Sequence, residues 1–496
     1  MKILIYLYFT LSTLIGLSQD IKWDKPIRCG NDCRSVTRDS KNNFYFSGQI
    51  TNSIQNGNYF GNTILPLYSQ SINYCFIAKS DKNYKSKWIK IIESDFFFEP
   101  IIRIDSKDNL VLIGLFRTNL KIDSYEFVVP EMQQVMLIAK FDSMGKMLWH
   151  KTLTGGRGGM MDRDLKIDNE NNIYVAGEIV GTTTFIGNNR IDTIIGDNNE
   201  KHIFFSKFNS DGQFEWVKSL PQGHSQIGLN AMEIDQNKNI YLTGWWSDGG
   251  KFDNIPKISE SVDIFIVKYD SQRKLQWLKQ LGVPNSTTMQ SGNALAIDEK
   301  LNSIYVTGGF LGSVDFGGKI LQAGDNNIFL ARYSLEGNLV WVKNMGSWSG
   351  ASSSIEQGNK LIVDDESSIY LAGTLGQNGK FDGITISAYD NPLNSNLDPD
   401  FFIAKYKPTG QLLWVTHAGS PNVGDVVNDL LKDKENNLFV AGNTSQNAIF
   451  GDYILEEPYM VGFISKIIEQ PVNFCNYSGH LFFSKTVLNK NRLFYS

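Results

Sequence analysis

One phrase recurs along the chain at a nearly constant spacing. It consists of an Asp, a short polar turn and an apolar run that ends in glycine, as in "DNENNIYVAG" at 168–177. The glycines that end the copies are Gly48, Gly114, Gly177, Gly244, Gly308, Gly373 and Gly442. Neighbouring copies are therefore 63 to 69 residues apart. A fixed period of this kind restricts a chain to repeat architectures, whatever domain count its length suggests.

Two further phrases keep the same period. One, of the type "IFFSK", ends at Lys79, Lys140, Lys207, Lys268, Arg332, Lys405 and Lys466. The other, of the type "GxxxWxK", contains Trp88, Trp149, Trp216, Trp277, Trp341 and Trp414. Polar turn residues divide each unit into two hairpins, which together make four antiparallel strands. Seven such units, at a period too long for a solenoid coil, predict an all-β fold, the seven-bladed β-propeller.

The tryptophan phrase is one copy short. Residues 461–467 are followed by no "GxxxWxK", whereas "DIKWDKPI" at 20–27 precedes the first unit and contains Trp23. We therefore expect the N-terminal strand to complete the last blade and close the ring, because closure removes exposed strand edges. This assigns residues 19–467 to the propeller.

The two ends of the chain have separate predictions. Residues 1–18 have Lys2, an apolar stretch and small residues near Ser18, which is typical of a secretory signal peptide. The protein is therefore expected to be secreted or at the cell surface. Residues 468–496 form a short C-terminal tail whose role the sequence does not indicate.

Charge and composition restrict the partners. The formal net charge is −5, which provides no electrostatic reason to bind nucleic acid or an anionic membrane. No later apolar stretch is long enough to insert into a membrane. We expect a monomer without a cofactor.

The cysteines predict one disulfide and no metal site. Cys29 and Cys33 in "CGNDC" are close enough to form a small loop in an oxidising compartment. Cys75 stands where sister units have an apolar residue, so a buried thiol is expected. The spacing of the four cysteines and five histidines does not match a zinc site.

Residue types that recur in most units favour structural roles. The turn aspartates are Asp39, Asp105, Asp168, Asp235, Asp298, Asp364 and Asp433. They are predicted to cap the turn; calcium binding is the alternative, but calcium loops require more carboxylates at fixed positions. The tryptophans are expected to pack one blade on the next. Four asparagines near the channel, expected to contact backbone rather than form a ring of ligands, are Asn230, Asn293, Asn359 and Asn428.

The segment 297–343, with "IDEKLNSIYVTGGF", "VDFGG" and "NNIFLARYSLEGNLVWVK", resembles the bacterial SBBP-type β-propeller repeat. The likeness extends over residues 20–467 and implies an exported seven-bladed propeller, without implying an activity or catalytic residues. The segment 141–156 also resembles the tryptophan-docking motif of quinoprotein dehydrogenases. The chain has no adjacent cysteine pair and its period is longer than theirs, so we expect no quinone cofactor.

The variable loops indicate where a ligand binds. Loops that join one blade to the next, and the second strand to the third, emerge on one face and differ between units. The residues on this face predicted to bind a ligand are Trp245, Trp246, Trp348 and Arg157. Aromatic residues among Ser, Asn and Gly suit an extracellular protein or glycan. An alternative is that these aromatics fold back over the blades.

Catalytic motifs are missing from the sequence. It contains no "GxSxG" nucleophile elbow and no "HExxH" metal motif. We therefore predict a non-catalytic binding or scaffold module. The alternative function is a secreted hydrolase or lyase of glycans that uses acidic residues across the channel mouth.

Overall fold

The computed structural model describes residues 20–470. The undescribed internal positions are 51–57, 66–72, 95–98, 130–133, 155–158, 187–190, 195–200, 221–226, 248–250, 254, 257–261, 283–289, 347–355, 377, 390–398, 422–423 and 458. The predicted signal peptide (1–18) and most of the tail lie outside the described residues. In the described part of the chain, no helix has the length and apolar character needed to cross a bilayer.

The described residues form a seven-bladed β-propeller, as predicted, and each blade is an antiparallel sheet of four main strands. The innermost strands of blades 1 to 7 are Asp32–Arg38, Ile101–Ile104, Gly159–Ile167, Ile227–Ile234, Gln290–Asp298, Gln357–Val363 and Val426–Lys432. The second strands are Phe44–Ile50, Leu110–Phe116, Ile173–Val180, Ile240–Trp246, Ser303–Asp315, Ile369–Leu375 and Leu438–Thr444. The third strands are Asn73–Ser80, Val135–Phe141, Lys201–Phe208, Asp263–Tyr269, Ile320–Ser334, Asp400–Tyr406 and Val461–Gln470. The outermost strands are Ser86–Ser94, Met147–Thr154, Phe214–Leu220, Leu275–Leu281, Leu339–Met345, Leu412–Ala418 and, in blade 7, Asp20–Trp23.

A small outer hairpin connects the second strand of each blade to the third. The pairs are Asn58–Phe60 with Thr63–Leu65, Asn119–Ile122 with Tyr125–Val128, Thr183–Ile186 with Ile191–Ile194, Lys251–Phe252 with Ile255–Pro256, Asn378–Phe381 with Ile384–Ser387, and Ala448–Phe450 with Tyr453–Leu455. In blade 5 the long second and third strands form this hairpin themselves. In blade 6, for example, Phe381 of the hairpin packs on the third strand, where its ring lies 4.8 Å from that of Phe402. The hairpin thus covers the core between blades.

The N-terminal strand is the outer edge of blade 7. Asp20–Trp23 pairs antiparallel with Val461–Gln470, with Trp23 opposite Ile467. In the other blades the repeated tryptophan stands opposite the repeated basic residue, as Trp216 does opposite Lys207. The N-terminal strand is therefore shifted by one residue, which turns the Trp23 side chain to the other face of the sheet.

The side chain of Trp23 consequently packs in the core between blades 6 and 7. Its ring meets Phe401 at 6.1 Å and Phe450 at 5.5 Å, both edge-on, and its indole N–H donates to Thr416 at 3.2 Å. Trp23 is therefore not an equivalent of the other six tryptophans, although its strand takes the place of theirs.

The other repeated residues join each blade to the next. Trp277 donates its indole N–H to the carbonyl of Leu335 in the next blade at 3.1 Å. Lys140 binds Asp105 of its own blade at 2.8 Å and the carbonyl of Ser210 in the next blade at 3.0 Å. The repeated Asp, Lys and Trp thus build joints between blades, as a structural interpretation requires.

Candidate functional site at the loop face and central channel

One face of the propeller, here called the turn face, carries the Asp turns. Asp168 Oδ1 accepts the backbone N–H groups of Glu170 and Asn172, both at 2.9 Å. Its Oδ2 accepts from the Asn172 side chain at 2.8 Å and the Tyr174 hydroxyl at 3.2 Å. The carboxylate is therefore engaged within its own turn, as the capping interpretation predicts.

The opposite face, here called the loop face, is where the innermost strands begin. The described strands of six blades carry a β-bulge near this end. The bulged residues are Arg34, Arg163, Asn230, Asn293, Asn359 and Asn428. A bulge adds one residue and redirects its side chain. Five of these six side chains line the mouth of the channel, with Asn359 as the exception.

The glycine that ends the repeated phrase makes room for this bulge. A Cβ on Gly308 would lie 1.8 Å from the Ser291 carbonyl oxygen and 3.0 Å from the Phe329 ring. Such contacts are too short for any side chain, so the position requires glycine. The most regular feature of the sequence therefore supports the variable channel mouth.

Asparagine side chains connect neighbouring blades around this mouth. Asn230 Nδ2 donates to the Gly292 carbonyl at 3.0 Å, and Asn293 Nδ2 donates to the Gly358 carbonyl, also at 3.0 Å. Asn428 donates in the same way to the carbonyl of Cys33 at 3.0 Å, which joins blade 7 to blade 1. The predicted backbone contact is therefore present for these three asparagines.

The channel contains a cavity of about 260 Å³ whose walls carry more positive than negative side chains. The basic side chains are Arg34, Arg103, Arg163, Lys166 and Lys360, and the acidic ones are Asp164, Glu233 and Asp429. Arg103 lies 3.4 Å from Asp429, and Lys166 lies 2.6 Å from Glu233. Burial raises the pKa of Glu233, and the Lys166 ammonium opposes this shift.

Two of the channel carboxylates also hold the blades together. Asp164 Oδ2 accepts the backbone N–H of Met232 in the next blade at 3.0 Å. Asp429 Oδ2 accepts the backbone N–H of Val36 at 3.1 Å and the Ser35 hydroxyl at 3.0 Å. These two acids therefore help to join neighbouring blades.

Trp245 lies at the loop-face end of its strand. It is half-buried, and Lys201 Nζ stands 5.8 Å from the centre of its ring. The same ammonium binds the buried Glu178 at 2.9 Å, and Glu178 lies 3.3 Å from Arg163 at the mouth. A chain of charged groups thus connects the Trp245 ring to the channel.

The other predicted ligand-binding residues have different positions. Trp246 is fully buried, and its ring meets that of Phe252 at 4.8 Å. Neighbouring side chains of a strand point to opposite faces, so only Trp245 reaches the surface. Trp348 and Arg157 lie outside the described residues.

The three cysteines in the described part of the chain do not line the channel cavity. Cys29 and Cys33 are joined by a disulfide, with 5.5 Å between their Cα atoms, and Cys75 is buried. The Cys29 backbone N–H donates to the Gly462 carbonyl at 2.8 Å. The disulfide loop therefore lies where blade 7 meets blade 1.

Several channel residues escaped the sequence reasoning. Arg103, Lys166 and Glu233 share one column of the repeat, where the other units carry Thr, Ala, Ile or Leu. Lys360 stands in a column with Ser, Ile, Ala and two Asp. A column-by-column comparison of the innermost strands would have drawn attention to both columns, because charged residues rarely alternate with apolar ones at a buried position.

Comparison with known proteins agrees with the propeller repeat. The SBBP beta-propeller repeat model matches residues 276–308, which overlap the segment that resembles this repeat. An uncharacterized WD repeat-containing protein of Acanthamoeba polyphaga mimivirus is 23% identical over 509 aligned positions, covering 84% of this chain. The alignment covers 35% of the viral protein, so the chain spans about a third of that relative's length.

Among solved structures, an ulvan lyase is similar with a TM-score of 0.42 and 10% identity, covering 86% of this chain and 92% of the lyase. A protein of unknown function from Dyadobacter fermentans has a TM-score of 0.38 and 10% identity, with coverages of 90% and 99%. An α-L-arabinofuranosidase of Fusarium graminearum has a TM-score of 0.34 and 10% identity, with coverages of 73% and 91%. Likenesses this weak say nothing about activity. Residues 276–308 match the SBBP beta-propeller repeat model, which confirms the resemblance to this repeat seen in the sequence.

Proposed function

We propose that the protein is an exported, non-catalytic binding module that recognises an extracellular protein or glycan through its loop face. The observation that carries the proposal is the Trp245 ring, which is half-buried on the loop face beside Lys201. An aromatic platform with a cation and nearby amides is suited to a sugar ring or to a peptide.

The contrast between the two faces supports this choice. On the turn face, Asp carboxylates accept hydrogen bonds from their own turns, as Asp168 does. On the loop face, bulges direct Arg and Asn side chains toward the channel mouth. Polar groups that differ between repeats, on an otherwise regular scaffold, are the usual location of a binding site.

Export is part of the proposal. The sequence of residues 1–18 has the pattern of a signal peptide. The disulfide between Cys29 and Cys33 suits an oxidising compartment such as the periplasm or the outside of the cell. N-terminal sequencing of the protein recovered from the native host would test it, and an uncleaved Met1 would contradict it.

A glycan array probed with the purified protein, together with a binding assay on proteins from the extracellular medium, tests the binding role. Trp245→Ala is expected to weaken binding about 10-fold, since an aromatic anchor carries at least 1 to 2 kcal/mol. Met144→Ala is the matched control, because Met144 is 80% exposed in a loop on the turn face. Equal loss in both variants, or in neither, would contradict the assignment of the loop face.

A catalytic role is the second candidate. Burial raises the pKa of Glu233, which lies in one cavity with Asp164 and Asp429, and a raised carboxyl pKa suits a general acid. A hydrolase and lyase activity screen on the same purified protein separates the two functions. Turnover that disappears in Glu233→Gln, with folding intact, would replace the binding proposal.

A further inference from the structure

Lys360 lies in the wall of the central channel without a direct partner. Among the residues that the structure describes, it has no hydrogen bond and no carboxylate within 4.0 Å. By contrast, Arg103 and Lys166 of the same cavity form ion pairs with Asp429 and Glu233. The two arginines at the mouth are also paired; Arg34, for instance, lies 2.6 Å from Asp32.

The surroundings of Lys360 leave space beside its side chain. The position four residues before the turn Asp is occupied in blades 1 to 7 by Ser35, Ile101, Asp164, Ala231, Ala294, Lys360 and Asp429. The two alanines belong to adjacent blades, and the second is in the blade next to Lys360. At this position of the cavity wall, blades 4 and 5 contribute only the methyl groups of Ala231 and Ala294.

Of the five basic side chains in the cavity, Lys360 is the one that no carboxylate among the described residues contacts directly. Burial lowers the pKa of Lys360; Asp429 and Asp164 oppose this shift, and Arg103 and Lys166 reinforce it. An ammonium in such a site gains from an anion that enters, because it is half-buried and no carboxylate contacts it directly.

We propose that the central channel binds an oxyanion group of an acidic sugar, a carboxylate or a sulfate, and that Lys360 is its ion partner. This rests on the proposed function and specifies the class of glycan. The sugar ring lies against Ala231 and Ala294, and the asparagines of the mouth face its hydroxyl groups. A cavity of about 260 Å³ is at the small end of ligand sites, which suits one sugar residue.

Calorimetric titration of the purified protein with glucuronate, glucose 6-sulfate and glucose tests this site. We expect one or both charged sugars to bind and glucose to bind at least 10-fold more weakly. Lys360→Met removes the charge at similar size and should weaken binding of the charged sugar 10-fold or more, as loss of a charged hydrogen bond predicts. Lys360→Arg keeps the charge and should retain part of the affinity.

Lys121→Met is the matched control, because Lys121 is exposed on the outer hairpin of blade 2. It should leave every affinity unchanged. The proposal is overturned if neither charged sugar binds, if glucose binds equally well, or if Lys360→Met and Lys121→Met behave alike. Comparison of the two charged sugars identifies which oxyanion the site prefers.

A second measurement uses the unaltered protein, in case Lys360→Met does not fold. Limited acetylation with acetic anhydride, followed by mass spectrometry of peptides, reports the reactivity of each lysine. Saturating amounts of the charged sugar that binds should lower acetylation of Lys360 several-fold and leave Lys121 unchanged. Equal acetylation of Lys360 with and without the sugar would contradict the proposal.

The outcomes also separate this site from the proposed function. If Trp245→Ala abolishes binding of a neutral glycan or a protein while no charged sugar binds, the loop-face function stands and the channel site fails. If a charged sugar binds through Lys360 and Trp245→Ala affects no ligand, the channel site stands and the assignment of the loop face fails.

Discussion

At the residue scale, equivalent aspartates of the repeat have unequal surroundings. Asp168 accepts four hydrogen bonds within its turn. Asp298, in the turn of blade 5 that is one residue longer, accepts one from the Leu301 backbone at 3.2 Å, and its Oδ2 has no hydrogen-bond partner among the described residues. One sequence motif therefore corresponds to two different energetic contributions.

The two aspartates make a matched pair for mutation. Asp168→Ala should lower the free energy of unfolding by about 2 to 3 kcal/mol, because several donors lose their acceptor, and Asp298→Ala by about 1 kcal/mol. Denaturant melts of both variants measure the difference. Equal losses would mean that the hydrogen bonds of the turn do not determine the role of the Asp.

His417 makes stability depend on pH. Burial lowers its pKa to about 4, and its imidazole lies against the Tyr389 ring at 4.6 Å. The unfolded chain takes up a proton near pH 6.5 while the folded chain does not, so stability is full above about pH 6.5 and falls as the pH drops toward 4. The whole shift corresponds to at most about 3 kcal/mol.

The free energy of unfolding, measured between pH 7 and 4, tests this effect. His417→Phe keeps a ring against Tyr389 and cannot titrate, so the free energy of unfolding should depend less steeply on pH in this variant. Burial and the neighbouring Lys151 also lower the pKa of His150, but this side chain is exposed, so His150→Phe should reduce the slope less than His417→Phe does. A slope that stays the same in His417→Phe would show that other groups cause the pH dependence.

At the element scale, the contact between blades explains the glycine of the "GxxxWxK" phrase, which stands in the turn between the third and the outermost strand. Gly212 has φ +76°, and a Cβ there would lie 2.7 Å from the indole of Trp149 in the preceding blade. Gly383, in an outer hairpin, has φ +89° and nothing within 4 Å. The backbone is left-handed at both positions, but only Gly212 lies against a side chain of the neighbouring blade.

Alanine at the two positions therefore separates backbone strain from the contact between blades. Gly383→Ala should cost about 1 kcal/mol, the usual cost of a positive φ for alanine. Gly212→Ala should cost roughly 1 to 3 kcal/mol more, because Trp149 must move. Thermal melts compare them, and equal costs would mean that the tryptophan adapts freely.

The elements could be predicted from the sequence because their signals are local. Hairpin turns, alternating apolar residues and the recurring glycine all lie within about 20 residues of each other, so number and order of strands follow from them. The register of the N-terminal strand could not be predicted from such local signals. Its tryptophan matches the motif, but pairing with a strand roughly 450 residues later depends on contacts that no local pattern records.

At the scale of the whole molecule, the channel could not be predicted in detail. Arg103 and Asp429 come from blades 2 and 7, and they meet only because the ring brings all innermost strands together. Sequence indicated where asparagines would stand. It did not indicate which charges would find partners, since that depends on side-chain distances across the ring.

Closure of the ring makes the first and last strands depend on each other. A protein lacking residues 20–27 should leave the strand Val461–Gln470 with an unpaired edge, melt at a lower temperature and aggregate on heating. Scanning calorimetry and light scattering measure both effects. A synthetic peptide of residues 20–28 should restore part of the melting temperature, and an unchanged melt of the truncated protein would contradict this role.

The pairing of Asp20–Trp23 with Val461–Gln470 also has a consequence in time. The ribosome makes the earlier strand roughly 20 to 90 s before its partner, at about 5 to 20 residues per second. Six blades have all their strands before the seventh does. The interval before the last strand emerges is therefore when a growing chain is most exposed to proteases and to pairing with other chains.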